Sequence, residues 1–217
     1  MLTVQGLEAG WDRVPVVRGA DLDVEGGEIV AVLGGNGSGK SSLLWAIAGL
    51  LRPRRGRIAL GGRRVDAMGA ERRGALGLRL LPQSIRVFPS LTVAENFEVV
   101  DLGSPPPDRT RSHATRTEWI ERFPVLGAKR GQRAASLSGG EQQLLAIGRV
   151  LCTLPRALLL DEPSAGLSPD RATECGRAFT DLAESGVAVV LVEQNVALAQ
   201  SLASRTLAMR DGAPGAP

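Results

Sequence analysis

The chain has 217 residues, of which 43% are hydrophobic, and this length and composition predict one globular domain with a sizeable core. Net charge is only +3, aromatic residues are 3% of the chain and tyrosine is absent, which argues against the base-stacking surfaces of nucleic-acid binders. Cys152 and Cys175 have no partners at metal-ligand spacing. We interpret both as small apolar residues on buried helix faces in a reducing compartment.

No apolar run reaches the ~20 residues needed to span a bilayer. We therefore expect a cytoplasmic chain. If it serves a membrane process, other subunits must supply the membrane spans.

Strand-like and helical patterns alternate along the chain. The apolar runs GEIVAVLG, ALLLDEP and VAVVLVEQN alternate with helical segments such as SSLLWAIAGLL, which predicts an α/β fold with a parallel sheet covered on both faces. Residues 2–24 instead predict an antiparallel edge sheet. Residues 94–136 are polar and arginine-rich, and we expect a mostly helical lobe with a mobile loop at residues 103–107. The small residues at 211–217 predict a frayed end.

A glycine-rich loop lies directly between a predicted strand and a predicted helix. It matches the phosphate-loop pattern GxxxxGK[ST] through Gly34, Gly35, Asn36, Gly37, Ser38, Gly39, Lys40 and Ser41. Glycine backbones and a helix N-terminus form an anion cradle, in which Lys40 would contact the β and γ phosphates and the Ser41 hydroxyl would bind Mg²⁺. Lys40 and Lys129 are the only lysines of the chain, so a lysine at position 40 suggests that the chemistry of the loop requires this residue type. The loop predicts binding of a magnesium nucleoside triphosphate.

Two adjacent acids, Asp161 and Glu162, end an apolar run that starts at Ala157. A parallel strand would deliver them to the same edge of the sheet as the phosphate loop. Asp161 suits a magnesium site, and Glu162 suits a base that polarises the attacking water. Taken alone, the pair is a common solvated strand end, and the loop upstream gives it its functional meaning.

Residues 137–143 read LSGGEQQ and precede a helical pattern. This segment resembles the signature of the ATP-binding cassette (ABC) family, and the resemblance covers nearly the whole chain. It implies a P-loop NTPase with a RecA-like parallel core sheet, an antiparallel β edge subdomain and an inserted helical lobe. Residues 1–217 would form one ABC ATPase domain, with residues 1–93 and 154–217 as the core and roughly 94–153 as the lobe.

The resemblance also implies a dimer. In the family, the signature of one subunit closes on the ATP held by the phosphate loop of another subunit. The predicted signature contacts are Ser138, Gly139, Gly140 and Glu141, built from a hydroxyl, glycine N–H groups and a helix N-terminus.

Further site residues follow from matching positions. Trp11 stands where the family places an aromatic residue against adenine, Gln83 is the Q-loop glutamine that touches metal and water, Ser42 adds a nucleotide contact, and residues 165–170 form the D-loop region. The alternatives are an edge aromatic residue covering the core for Trp11 and a solvated loop residue for Gln83.

The sequence departs from the family in several places. Gln194 replaces the switch histidine, and an amide can donate a hydrogen bond to a γ phosphate but carries no charge and shuttles no proton. Ser168 replaces the D-loop aspartate, so the carboxylate that makes a contact across the dimer in the family is replaced by a hydroxyl. Gly35 replaces a proline, and the chain ends soon after the strand predicted at residues 205–209.

The phrases LVEQN, PSAGLSP and GQRAASLSGGEQQLLAIGRVL resemble one ATPase of the branched-chain amino acid importers, or of the similar urea and amide importers. The implied partners are transmembrane permease subunits, a second ABC ATPase (a sibling or a second copy), and indirectly an external solute-binding protein, with no nucleic acid. The implied cofactors are ATP and Mg²⁺, and the implied location is the inner face of the cell membrane. Two alternatives stay open: a soluble ATPase clamp on nucleic acid or ribosomes, and a regulatory module that binds ATP without hydrolysing it.

Overall fold

The computed structural model of the chain describes residues 1–12, 14–84, 87–101 and 106–215. The strands are β1 (Leu2–Trp11), β2 (Val14–Val24), β3 (Ile29–Leu33), β4 (Arg55–Leu60), β5 (Arg63–Arg64), β6 (Leu78–Leu81), β7 (Ala157–Asp161), β8 (Ala188–Val192), β9 (Arg205–Arg210) and β10 (Ala213–Gly215). The helices are α1 (Lys40–Ala48), α2 (Ala70–Ala75), α3 (Val93–Asp101), α4 (Pro106–Arg122), α5 (Pro124–Ala128), α6 (Gly139–Cys152), α7 (Pro169–Glu184) and α8 (Val196–Leu202), with a 3₁₀ turn at Ala134–Ser136.

Two sheets form the core. One has the strand order β2-β1-β4-β5 with antiparallel neighbours, and the other has the order β10-β9-β3-β8-β7-β6. In the second sheet all neighbouring pairs are parallel except β9 with β10. The predicted α/β class, with a parallel core sheet and an antiparallel edge sheet, is confirmed.

The central strands are buried on both faces. In β7, Leu159 packs into the cluster that contains α1 and the antiparallel sheet, whereas Leu158 and Leu160 pack into the cluster that contains α3, α6 and α7. All five residues of β7 are buried, and so are all five of β8. Burial on both faces explains why these strands read as continuous apolar runs rather than as alternating ones.

Helix α1, which follows the glycine-rich loop, is fixed at its far end by a buried arginine. Arg73 of α2 is 1% exposed, and its Nη1 donates to the carbonyl oxygens of Ala46 at 2.7 Å and Ile47 at 2.6 Å. A cation at the last carbonyl groups of a helix satisfies acceptors that have no partner within the helix. The loop therefore leads into a helix whose C-terminal end is anchored.

The predicted frayed end is wrong for residues 211–215. Asp211 and Gly212 form a turn, β10 pairs with β9, and Gly212 O accepts a hydrogen bond from Arg18 N at 2.8 Å. These backbone bonds outweigh the weak strand preference of small residues. The predicted mobile loop comprises residues 103–107, of which residues 103–105 lie outside the described residues, and Pro106 begins α4.

The α4–α6 contact gives a prediction about stability. A Cβ built on Gly148 of α6 would lie 2.3 Å from Trp119 Cδ1 of α4, whose indole donates to Leu144 O at 3.0 Å. We expect Gly148→Ala to lower the free energy of unfolding by about 1–3 kcal/mol, because overpacking forces the ring or the helix to move. Urea unfolding measures this. Gly131→Ala, where a Cβ meets nothing within 4 Å, is the matched control, and equal losses in both variants would contradict the prediction.

Candidate functional site

The glycine-rich loop leaves the carboxyl end of β3 in the middle of the parallel sheet and is tightly enclosed by backbone. A Cβ on Gly34 would lie 2.6 Å from the Met209 carbonyl oxygen. Gly39 has φ 101°, and a Cβ there would lie 2.9 Å from Val16 O. Only glycine fits these two positions, because one lacks space and the other also needs a left-handed backbone.

The start of α1 is suited to an anion. Its N-cap, Gly39, makes no side-chain capping bond, and its first turn contains no acidic residue. Nearby, Ser38 Oγ is buried and has no hydrogen-bond partner among the described residues. Unpaired N–H groups at a helix N-terminus and an unpaired hydroxyl are the donors that phosphate oxygens require.

Two cavities flank this loop. The first, of about 330 Å³, is lined by Val16 of β2, by the loop and the start of α1, and by the predicted catalytic residues: Val16, Asn36, Gly37, Gly39, Lys40, Ser41, Ser42, Gln83, Glu162 and Gln194. The second, of about 770 Å³, adjoins Gly35, Asn36, Gly37 and Ser38 on the side of β2 and the β9–β10 turn. We refer to the first as the phosphate-loop cavity. It brings together residues that lie far apart in the sequence.

Lys40 begins α1 and points back along the loop. It is only 6% exposed, and its Nζ donates to Gly34 O at 2.8 Å and to Gly35 O at 2.9 Å. An ammonium group has three donors, so one remains beyond these two bonds. The carbonyl oxygens fix the position of the positive charge beside the phosphate-loop cavity.

Ser41 and Asp161 meet across the sheet edge, as the strand order requires. Ser41 Oγ donates to Asp161 Oδ1 at 3.1 Å, and Asp161 is 1% exposed. Burial raises the pKa of the Asp161 carboxyl, and the bond from Ser41 opposes that shift. No cluster of three or more His, Cys, Asp or Glu side chains able to hold a metal occurs among the described residues. Ser41 Oγ and Asp161 Oδ1 are neighbouring oxygens, and such a pair fits Mg²⁺, which binds through one or two protein oxygens and completes its shell with water and phosphate.

Glu162 is held by two glutamine side chains. Gln83 Nε2 donates to Glu162 Oε2 at 2.7 Å, and Gln194 Nε2 donates to Glu162 Oε1 at 2.8 Å. Gln194 also donates to Asn36 Oδ1 at 3.2 Å, which ties the group to the glycine-rich loop. Each carboxylate oxygen of Glu162 therefore accepts one amide N–H, and the side chain is fixed at the wall of the phosphate-loop cavity.

The backbone at Glu162 is strained. Its φ is 51°, and its N–H donates to Val192 O at 2.8 Å. A left-handed conformation in a residue other than glycine costs about 1–3 kcal/mol and persists only where the surroundings enforce it, often at functional sites. The strand β8 enforces it here, and the turn directs the carboxylate toward the loop.

The signature segment lies at the start of α6, away from the phosphate-loop cavity. Ser138 is the N-cap, and its Oγ accepts from Glu141 N at 3.4 Å while its own N–H donates to Glu141 Oε2 at 3.0 Å. Lys129 Nζ bonds both oxygens of Glu141 at 2.8 Å. None of Ser138, Gly139, Gly140 and Glu141 lines the cavity. Within the chain, Glu141 contacts Lys129 and Ser138, so its carboxylate is engaged in holding the helix start.

A family model described as ABC transporter matches residues 17–165. The chain belongs to the ABC transporter family. It is 35% identical over 212 residues to the high-affinity branched-chain amino acid transport ATP-binding protein BraG of Pseudomonas aeruginosa, with 98% of this chain and 90% of that protein covered. It is 36% identical over 214 residues to the lipopolysaccharide export system ATP-binding protein LptB of Acidithiobacillus ferridurans, with 98% and 87% covered.

The fold of this ABC protein is found in solved structures. One is the dimeric structure of an ATP-binding cassette in a post-hydrolysis state bound to ADP and Pi, with a TM-score of 0.87, 22% identity, and 99% of this chain and 96% of that chain covered. The family makes the chain an ATPase, the nucleotide-hydrolysing subunit of a transporter. In the described part of this ABC ATPase, no helix combines the length and apolar character needed to cross a bilayer.

Among the predicted nucleotide contacts of the ABC ATPase core, Gly34 lines neither cavity at the loop, and the same is true of Trp11. It lies at the end of β1, is 47% exposed and meets Trp45 of α1 edge to face at 5.6 Å between ring centroids. Val16 of β2 lines both cavities instead. Sequence reasoning missed Val16, because an apolar residue in an edge strand carries no signal of a ligand contact.

Sequence reasoning also missed two residues that hold the segment just before the predicted D-loop region of this ABC ATPase. Gln143 of α6 donates to Pro163 O at 2.9 Å, and Glu193 Oε1 accepts from Ser164 N at 2.9 Å. Both side chains are buried. They fix the segment directly after Glu162. Farther on, Ser168 is the N-cap of α7 and makes no side-chain capping bond.

Gln194 gives a prediction about pH. Its amide does not titrate, whereas an unperturbed imidazole titrates near pH ~6.5. In Gln194→His, we expect the ratio of its kcat to the wild-type kcat to rise as the pH falls through that midpoint, because an imidazolium would place positive charge at the wall of the phosphate-loop cavity, where negative charge develops on the γ phosphate. Steady-state ATPase rates across pH measure the ratio. Gln194→Asn, which keeps an amide, should give a ratio independent of pH, and a flat ratio for the histidine variant would contradict the prediction.

Proposed function

We propose that the chain is the ATPase of an importer for branched-chain amino acids or a related small polar solute. The proposed ATPase activity rests on the position of Glu162. Its carboxylate is held by Gln83 and Gln194 at the wall of the phosphate-loop cavity, which Lys40 also lines. The support for the cargo is the 35% identity to BraG together with Gln194 in the phrase LVEQN. Because LptB, named for lipopolysaccharide export, is 36% identical, export of a lipid-linked polysaccharide is the second candidate.

The proposed chemistry is hydrolysis of the γ phosphate of ATP. Lys40, the loop N–H groups and Ser42 bind the triphosphate, and Ser41, Asp161 and Gln83 hold Mg²⁺. When bound, Mg²⁺ neutralises negative charge on the β and γ phosphates. Glu162 accepts a proton from the attacking water as the water oxygen bonds to the γ phosphorus, and the bond to ADP breaks. Gln194 orients Glu162.

The proposed assembly is a pair of cassettes on the inner face of the membrane. The signature at Ser138, Gly139 and Gly140 would close on ATP bound by a second ATPase, either a second copy or a sibling. Helices α3 to α6 lie between β6 and β7 along the chain and correspond to the proposed lobe at roughly residues 94–153. That lobe would transmit the closing motion of the two cassettes to permease subunits, and an external binding protein would deliver the solute.

Purification of the tagged chain from membranes of its source cell tests this proposal. We expect permease subunits to copurify, and the complex reconstituted in liposomes to take up labelled leucine, isoleucine or valine only with ATP. The same complex with Glu162→Gln should show no uptake. Extraction of lipopolysaccharide instead of uptake would favour the second candidate, and recovery of ribosomes or DNA without membrane subunits would overturn the transport role.

A further inference from the structure

Lys129 and Glu141 form a close ion pair behind the signature. The ammonium lies 2.8 Å from each carboxylate oxygen, and one of these oxygens also accepts from Ser138 N at 3.0 Å. The Glu141 side chain is 9% exposed and that of Lys129 is 31% exposed. The bond from Lys129 is the main cause that lowers the pKa of the Glu141 carboxyl. Glu141 is therefore charged at neutral pH, and Lys129 compensates that charge.

The two predicted phosphate-binding helices, α1 and α6, differ in whether their first turn contains an acidic residue. The first turn of α1 contains no acidic residue, whereas the first turn of α6 contains Glu141. An acid in the first turn stabilises a helix but opposes a second anion at the same N-terminus. Glu141 lies within one helical turn, ~5.4 Å along the axis, of the N-cap. An uncompensated carboxylate there would repel a triphosphate.

The position of Lys129 is fixed by the backbone around it. It follows α5, and its N–H donates to Val125 O at 3.2 Å. In the same loop, Arg130 O accepts from Ala94 N and Gln132 O accepts from Val93 N, both at 3.0 Å. These bonds attach the loop to the start of α3. The ammonium is thus held in place rather than carried on a free surface segment, which is unlike a typical exposed ion pair.

We propose that Lys129 is a positioning residue for hydrolysis in a second cassette: by neutralising and fixing Glu141, it lets the N-terminus of α6 accept the triphosphate bound by the partner. The inference rests on the proposed ATP sandwich. Charge compensation and a purely structural role of Lys129 predict different results when the Glu141 carboxylate is removed. If charge compensation is the purpose, then removing the carboxylate should make the lysine dispensable, whereas a structural lysine would stay necessary.

The test uses the full chain with Glu162→Gln, which keeps ATP intact, and measures the dimer fraction against ATP concentration by size-exclusion chromatography. It is run on the chain alone and mixed with any sibling cassette that copurifies with it. The compared changes are Lys129→Met, Lys129→Met with Glu141→Gln, and Arg177→Met. Arg177 pairs with Glu174 on the exposed face of α7 at 2.9 Å and is the matched control. Binding of ATP to the monomer is measured separately with a fluorescent ATP analogue at dilute protein.

We expect Lys129→Met to raise the ATP concentration needed for dimerisation at least about tenfold, because a largely buried carboxylate loses its partner. Monomer affinity for the analogue should stay within about twofold, since the phosphate loop is untouched. Adding Glu141→Gln should restore most of the dimerisation, and Arg177→Met should have no effect.

Three results would overturn the inference. Normal dimerisation of Lys129→Met would show that the compensation is not needed. Failure of Glu141→Gln to restore dimerisation would assign Lys129 a structural role. Absence of any ATP-dependent dimer in the Glu162→Gln chain, alone or with its sibling, would overturn the ATP sandwich itself and the inference with it.

Discussion

Glu162→Gln is expected to lower kcat for ATP hydrolysis by about 10²–10⁴-fold, the contribution of a positioned general base, while ATP affinity stays within about twofold. Among the described residues, the hydrogen bonds that link Glu162 to the glycine-rich loop run through Gln194 and Asn36. Replacing the Glu162 carboxylate by an amide therefore leaves the bonds of Lys40 and of the Ser41–Asp161 pair intact.

The hydrogen bonds around Glu162 can be kept when glutamine replaces it. Both glutamines now donate to the carboxylate, and an amide at position 162 offers one acceptor and two donors. Rotation of one neighbouring glutamine amide would present its oxygen and keep both bonds. Single-turnover hydrolysis measures the chemical step, and filter binding measures affinity. Glu184→Gln on the exposed end of α7 is the control, and unchanged hydrolysis in Glu162→Gln would remove Glu162 from the base role.

The sequence predicts those parts of the fold in which each residue's type follows from its own surroundings. Strands β3, β7 and β8 are apolar because both faces are buried, and β7 ends at Asp161, a buried acid whose carboxylate accepts a hydrogen bond from Ser41. The loop before Lys40 is predictable for a similar reason: Gly34 and Gly39 stand where a Cβ would meet neighbouring backbone, and Gly37 and Gly39 have positive φ. These patterns indicate the α/β class and the neighbourhood of the loop and the acids.

The contacts that shape the site are not predictable in this way, because they join residues far apart in the chain. Gln194 could as well have been a solvated amide, and nothing in LVEQN reveals that its side chain bonds Glu162 across 32 positions. Likewise, Lys129 looks like one more surface cation until α5 and α6 are placed together. The small residues of the tail carry no strand signal, and their pairing depends on the backbone of β9 and on Arg18.

Lys40→Arg is expected to lower kcat/KM for ATP by at least about 10²-fold, the effect of losing a preorganised donor at developing charge, although the formal charge is kept. The ammonium fits between two carbonyl oxygens, at 2.8 Å and 2.9 Å, in a position that is 6% exposed. A guanidinium is planar, wider and rigid, so it cannot make both bonds as a point donor and still direct a third donor into the phosphate-loop cavity.

Steady-state kinetics and binding of a fluorescent ATP analogue measure the loss in Lys40→Arg, and urea unfolding checks that the fold is kept. Arg177→Lys, the reverse exchange on an exposed ion pair, should leave kcat/KM unchanged within about twofold. Near-normal turnover of Lys40→Arg would mean that charge alone suffices at this position. A large loss would instead show that the phosphate loop requires the shape of lysine, which would explain why a chain rich in arginine has one of its two lysines there.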